Sequence, residues 1–157
     1  MSASLPAEGE YLLNTPEDMH RFGVDLGRAL GAGDLLILTG PLGAGKTTLT
    51  RGIGEGLGVR GPVTSPTFVL ARTHPSLIGG APLVHVDAYR LGSALEVDDL
   101  DLDLARSVVI VEWGRDVASI LAERWWEIEI IRPTAGEAGD VESEPRRVIL
   151  SRRHAGA

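Results

Sequence analysis

Cysteine is absent from this chain of 157 residues, and lysine occurs once, at Lys46. Without cysteine there is no disulfide framework, no thiolate zinc site and no cysteine nucleophile. No apolar run reaches membrane-spanning length, and Met1-Ser2-Ala3-Ser4-Leu5-Pro6 lacks the basic stretch and apolar segment of a secretory signal. The expectation is a soluble cytoplasmic protein with no membrane partner. Positive charge is also in short supply. The formal net charge is -7, so nothing at the level of the whole chain favours nucleic acid as the main ligand. The 20 glycines and nine prolines are not periodic, and there is no internal repeat. The length suits one domain with a real core rather than two.

The one lysine stands where its chemistry counts. Gly40-Pro41-Leu42-Gly43-Ala44-Gly45-Lys46-Thr47 is the complete pattern of a phosphate-binding P-loop. The other basic side chains, apart from the histidines, are arginines. A compact ammonium on a thin stem can lie beside β- and γ-phosphates, where a planar guanidinium fits poorly.

The surroundings are those the motif needs. Leu35-Leu36-Ile37-Leu38-Thr39 reads as a fully buried parallel strand running straight into the glycines. A helix is expected from Thr47, with Leu49, Ile53 and Leu57 on one face. Gly52, Gly54 and Gly56 weaken its propensity, so packing must hold it.

Before this unit, Tyr11-Leu12-Leu13 reads as a short edge strand. Thr15-Pro16-Glu17-Asp18 reads as a helix start, with Thr15 as cap and Asp18 as a short capping-box acid. Met19, Phe22, Leu26, Ala29 and Leu30 give that helix its apolar face, and Gly31 and Gly33 stop it. After the unit, Thr67–Ala71, Leu83–Asp87 and Val108–Glu112 read as strands, with a loop from His74 to Pro82. The acidic stretch Leu91 to Leu104 has room for a short helix. Trp125–Ile131 and Arg147–Leu150 read as a hairpin around a flexible loop, 133–146. Trp125 and Trp126 alternate faces there, which allows one to be core and the other exposed. The predicted fold is a single α/β, P-loop NTPase-like, three-layer domain. It has a mainly parallel central sheet and a C-terminal antiparallel hairpin, spans residues 11–151, and is flanked by tails 1–10 and 152–157.

The chemistry follows from the loop. Gly40, Leu42, Gly43, Ala44 and Gly45 turn backbone N–H groups toward phosphate oxygens, with the helix N-terminus behind them. Lys46 pairs with β- and γ-phosphates, Thr47 places its hydroxyl on Mg²⁺, and Thr48 can reach the α-phosphate. Two strand-end acids, Asp87 and Glu112, compete as the partner of Mg²⁺, which dehydrates reluctantly and is commonly met through water. Arg90 is the best local candidate for a transition-state arginine. Ser65 and Thr67 can sense the γ-phosphate as a switch. Trp113 can stack on a base, contact a partner or cover the core. His85, two residues before Asp87, reads as structural or supporting rather than as a ligand, while His20 and His74 suggest nothing specific. Arg146, Arg147, Arg152, Arg153 and His154 can meet an RNA backbone or serve as solvated surface.

Four ordered motifs carry the reading further. Gly40 through Thr48 reads GPLGAGKTT. Ser65-Pro66-Thr67-Phe68 is followed by His85-Val86-Asp87-Ala88-Tyr89-Arg90-Leu91 and then Val111-Glu112-Trp113. In this order they resemble the bacterial TsaE family, formerly called YjeE, from about Thr15 through Trp113. The resemblance implies a small, slow ATPase that uses ATP and Mg²⁺. It would act with TsaD and TsaB, which form threonylcarbamoyladenosine at position 37 of tRNA. It also implies that Glu112 is the Walker B-like acid linked to Mg²⁺, and that Asp87 is functionally important. Lys46, Asp87 and Glu112 are then the catalytic set. Ser65, Thr67, Tyr89, Arg90 and Trp113 are candidates for switching or partner coupling. The family often has proline after the tryptophan, and Gly114 in its place is expected to loosen that loop. Two alternatives stand beside this reading: a stand-alone small-molecule kinase, for which loop 72–82 offers Arg72 and His74 but no clear clamp, and an inactive nucleotide-binding interaction protein.

Overall fold

The computed structural model describes residues 7–40, 45–59, 61, 71–87, 104–115, 117–131 and 145–155. Within them, strands β1 (Gly9–Leu13), β2 (Leu35–Thr39), β3 (Ala71–His74), β4 (Leu83–Asp87), β5 (Val108–Glu112), β6 (Arg124–Ile131) and β7 (Arg146–His154) form one sheet. Helices α1 (Pro16–Ala29), α2 (Lys46–Leu57) and the single turn α3 (Ala118–Leu121) pack on it.

The sheet order is β1-β7-β6-β2-β5-β4-β3. The four inner strands β6, β2, β5 and β4 run parallel to their neighbours. Antiparallel strands finish both edges: β7 and β1 on one side, β3 on the other. This is an α/β domain with a mostly parallel centre and a C-terminal antiparallel pair, as the sequence leads one to expect. Leu35–Leu38 and Val108–Val111 are buried throughout because both faces of these central strands are covered.

Period-two alternation sorts the core into two layers. Leu36, Leu38, Ile110 and Ile128 point to the face covered by α1 and α2, where they meet Met19, Phe22, Leu26, Leu49 and Ile53. Leu35, Ile37, Val84, Val86, Val109 and Val111 point the other way, toward Val117 and Ala118. The same alternation assigns His85, Asp87 and Glu112 to the α1/α2 face.

Helix α1 starts as expected, with Thr15 Oγ1 accepting from the Asp18 N–H at 3.1 Å and Pro16 in the first turn. Helix α2 is held against it by an unusually close approach. A Cβ at Gly23, Gly27, Gly52 or Gly56 would lie 2.4, 2.2, 2.3 and 2.2 Å from a backbone oxygen of the opposite helix. Gly23 faces Gly52 and Gly27 faces Gly56, so the glycines that weaken α2 in isolation are what lets the two backbones touch. His20 Nε2 and Glu55 Oε2, 2.6 Å apart, join the rims.

Several expectations need correction. Arg72, Thr73 and His74 are not loop; they pair with His85, Val84 and Leu83 as strand β3. Residues 67–70 of the expected strand lie outside the described residues, as does the acidic stretch from Leu91 to Asp103. Gly9 and Glu10, expected in a tail, pair with Leu150 and Ile149. Arg152, Arg153 and His154 continue β7 opposite Trp126, Trp125 and Arg124. Trp125 and Trp126 do take opposite faces, but both are partly buried, each packed against one core layer.

Candidate active site

The site lies where the parallel strands end at the N-terminus of α2. The two long helices have different N-termini. Helix α1 is self-capped, with Glu17 and Asp18 in its first turn. Helix α2 begins at the N-cap Gly45 with φ +109°, has no side-chain cap and carries no acid in its first turn. The positive dipole end of α2 therefore faces no acid of its own first turn, a setting that favours an anion. Gly45 is required for the left-handed turn from loop to helix.

Lys46 opens α2, and its ammonium does not point into solvent. Nζ lies 3.6 Å from Glu112 Oε1 and 4.2 Å from the centroid of the Trp113 ring. The Lys46 carbonyl accepts from Thr50 Oγ1 at 2.8 Å. Glu112 ends β5 and is 8% exposed. Its other oxygen, Oε2, accepts from His85 Nε2 at 2.7 Å. Burial of Glu112 disfavours its charge. The hydrogen bond from His85 and the neighbouring Lys46 ammonium outweigh that penalty and hold the carboxyl below the ordinary glutamate range.

Asp87 ends β4 directly beside Glu112 in the parallel register. Trp113 donates its backbone N–H to Leu38 O at 3.1 Å, extending the β5–β2 ladder by one residue. It adopts φ +61°, the only positive value among the described non-glycine residues. Its side chain is 41% exposed, so it is a half-open wall over Lys46 rather than core. Gly114 does not loosen this turn. It is buried, and a Cβ there would lie 2.5 Å from Val111 Cγ1 and 3.2 Å from Ile37 Cδ1. In this packing the position has no room for proline. Arg115, next in sequence, ties the turn to β6 through Glu127 and Glu129.

The structure thus gathers Lys46, His85, Glu112 and Trp113, with Asp87 alongside. Gly40 follows β2, and Thr47 and Thr48 lie in the first turn of α2. Leu42, Gly43, Ala44, Ser65, Thr67, Tyr89 and Arg90 lie outside the described residues. Sequence reasoning read His85 as structural or supporting but did not find its contact with Glu112. The signal was its i, i+2 relation to Asp87 on a strand flanking β5.

The donor chemistry fits magnesium with a nucleotide. Among the described residues no group of three or more His, Cys, Asp or Glu side chains could hold a metal by itself. Magnesium suits such a place because it uses one or two carboxylates and fills its sphere with water and phosphate. Among the described residues no helix is long and apolar enough to cross a membrane.

Fold and site together define an α/β domain of the P-loop NTPase type. The family of threonylcarbamoyl adenosine biosynthesis protein TsaE matches residues 13–139. A curated TsaE of Streptomyces coelicolor is 56% identical over 136 residues, covering 85% of this chain and 89% of that protein. A Mycobacterium tuberculosis TsaE is 46% identical and covers 83% of both chains. The crystal structure of Bacillus subtilis YdiB superposes with a TM-score of 0.65 at 29% identity, over 92% of this chain and 84% of that one. The chain belongs to the TsaE family. Membership places it in the threonylcarbamoyladenosine modification of tRNA, implies ATP hydrolysis, and sets aside the stand-alone kinase.

Proposed function

We propose that this protein binds ATP with Mg²⁺ at the N-terminus of α2 and slowly hydrolyses its terminal anhydride bond. In this way it would support a TsaD–TsaB complex that modifies tRNA position 37 in the cytoplasm. The observation that carries the site is the placement of Lys46 and Glu112, 3.6 Å apart, at the uncapped start of α2. Lys46 exchanges Glu112 Oε1 for phosphate oxygens, as the P-loop lysine does. The backbone from Gly40 to Gly45 cradles phosphate, with Leu42, Gly43 and Ala44 contributing N–H groups. Thr47 offers its hydroxyl to the metal and Thr48 reaches the α-phosphate. Glu112 would hold the Mg²⁺ through its water shell, and Asp87 would assist from the adjacent strand end. Bound Mg²⁺ supplies charge neutralisation for the in-line transfer of the γ-phosphoryl group to water. Ser65, Thr67, Tyr89, Arg90 and the half-open Trp113 are the groups we assign to switching and partner coupling. In this reading tRNA is reached through the complex.

The test is Mg²⁺-dependent ATP hydrolysis by the protein alone and with purified TsaD and TsaB. A low solitary rate that rises with both partners is the expected result. Nucleotide binding without hydrolysis in any combination would make the protein an inactive interaction module and overturn the assignment.

A further inference from the structure

His85 is a costly residue in its position. It lies in the middle of β4, between Val84 and Val86, and is 1% exposed. An apolar side chain would fill that space without the penalty of burying an imidazole. Among the described residues only one ring nitrogen is compensated: Nε2 bonds Glu112 Oε2 at 2.7 Å, while buried Nδ1 has no hydrogen-bond partner there. A ring kept for core structure alone gains little from this arrangement; what it does accomplish is to hold one oxygen of a single carboxylate.

The two oxygens of Glu112 are thereby divided. Oε2 is turned inward to His85, and Oε1 is turned toward Lys46 and the start of α2. We propose that His85 is a positioning residue for the ATPase: it fixes Glu112 Oε2 so that Oε1 is presented to the phosphate end of α2. The inference rests on the reading of Glu112 as the acid linked to Mg²⁺. The contact requires a proton on Nε2, facing the carboxylate. Residues that orient a metal-linked group in this way typically change activity or metal affinity by about 10–100-fold when removed.

The experiment compares His85→Phe, which keeps a ring of similar size but cannot donate, with His85→Gln, whose amide nitrogen can reach Oε2. In His85→Phe, kcat should fall about 10–100-fold with little change in the KM for ATP. The tightening of ADP binding by Mg²⁺, read by calorimetry, should shrink. His85→Gln should recover most of both. In a Glu112→Gln background, His85→Phe should have little further effect. Unchanged kcat and unchanged Mg²⁺ coupling in folded His85→Phe would overturn the proposal, as would an undiminished effect of His85→Phe in the Glu112→Gln background. Turnover unaffected by Glu112→Gln alone is a different failure, that of the reading of Glu112. If neither His85 variant folds, ¹⁵N NMR of the wild-type imidazole decides. A proton on Nε2 is expected, and a ring protonated only on Nδ1 overturns the assignment.

Discussion

At the scale of single residues, the site is a small charge balance held mostly out of water. Glu112 is charged although buried because a donor meets each of its oxygens. Lys46 gains a second compensation from the face of Trp113, whose ring quadrupole attracts the ammonium. Trp113 holds its left-handed φ at this site, and Gly114 beside it leaves no room for a larger side chain against Val111. The lowered pKa of Glu112 makes a signed prediction. In the unfolded chain the carboxyl titrates near 4.5, and in the folded protein it titrates below that. Its contribution to stability is therefore complete above pH 4.5 and is lost as pH falls through the folded value. Urea unfolding followed from neutral to acid pH should show wild-type stability falling in that window. Glu112→Gln should flatten that part of the profile. An identical acid slope in both proteins would mean that the Lys46 and His85 contacts do not stabilise the charge.

At the scale of elements, the α1/α2 pair shows why intrinsic propensity misjudges a helix. Replacing Gly27 by alanine would improve helix propensity by about 1 kcal/mol. The new methyl would sit 2.2 Å from Ile53 O, and the backbones would have to part by about 1 Å to relieve it. Overpacking of this kind costs about 1–3 kcal/mol or more, and here the obstacle is a backbone atom rather than a movable side chain. Gly27→Ala should thus lose about 1–2 kcal/mol net in urea unfolding, toward the upper end because the obstacle is backbone. Gly31→Ala, where a Cβ meets nothing within 4 Å, is the control and should be nearly neutral. A gain of stability at Gly27 would show that the helices separate at no cost. This contact was written in the sequence as two pairs of glycines four residues apart, Gly23 with Gly27 and Gly52 with Gly56. Read one at a time, the glycines of α2 gave only a propensity penalty. Strands β2 and β5 were legible because continuous apolar runs have few other uses, and α1 because its cap and period agree. Strand β3 was not, since Ala71–His74 is short and mostly polar and only its pairing with β4 defines it. The His85–Glu112 bond joins residues 27 apart in sequence, and nothing local distinguishes that partner from Asp87.

At the scale of the whole molecule, the sheet order brings the two ends of the chain together, with β1 pairing along β7 and β7 along β6. Arg147, Arg152 and Arg153, legible in the sequence only as part of a basic cluster, stay exposed there but meet partners along the sheet edge. Arg147 pairs with Glu10, Arg153 Nε lies 3.2 Å from Glu127 Oε2, and Arg152 stacks over Trp126 at 4.8 Å. Such a terminus contributes to the fold without entering the site, since Lys46, His85 and Glu112 come from α2, β4 and β5. Ending the chain after Ser151 tests this division. It removes the three pairs of Arg152, Arg153 and His154 with β6, at about 0.2–1 kcal/mol each. It leaves Glu127 compensated by Arg115, so no buried charge is stranded. It also keeps every residue that pairs with β1. The shortened protein should lose about 1–3 kcal/mol of stability, read as a lower Tm, with kcat for ATP unchanged below its unfolding range. Loss of turnover while the protein is still folded would mean that the end of β7 does reach the site, through Glu127 and Arg115 to the Trp113 turn.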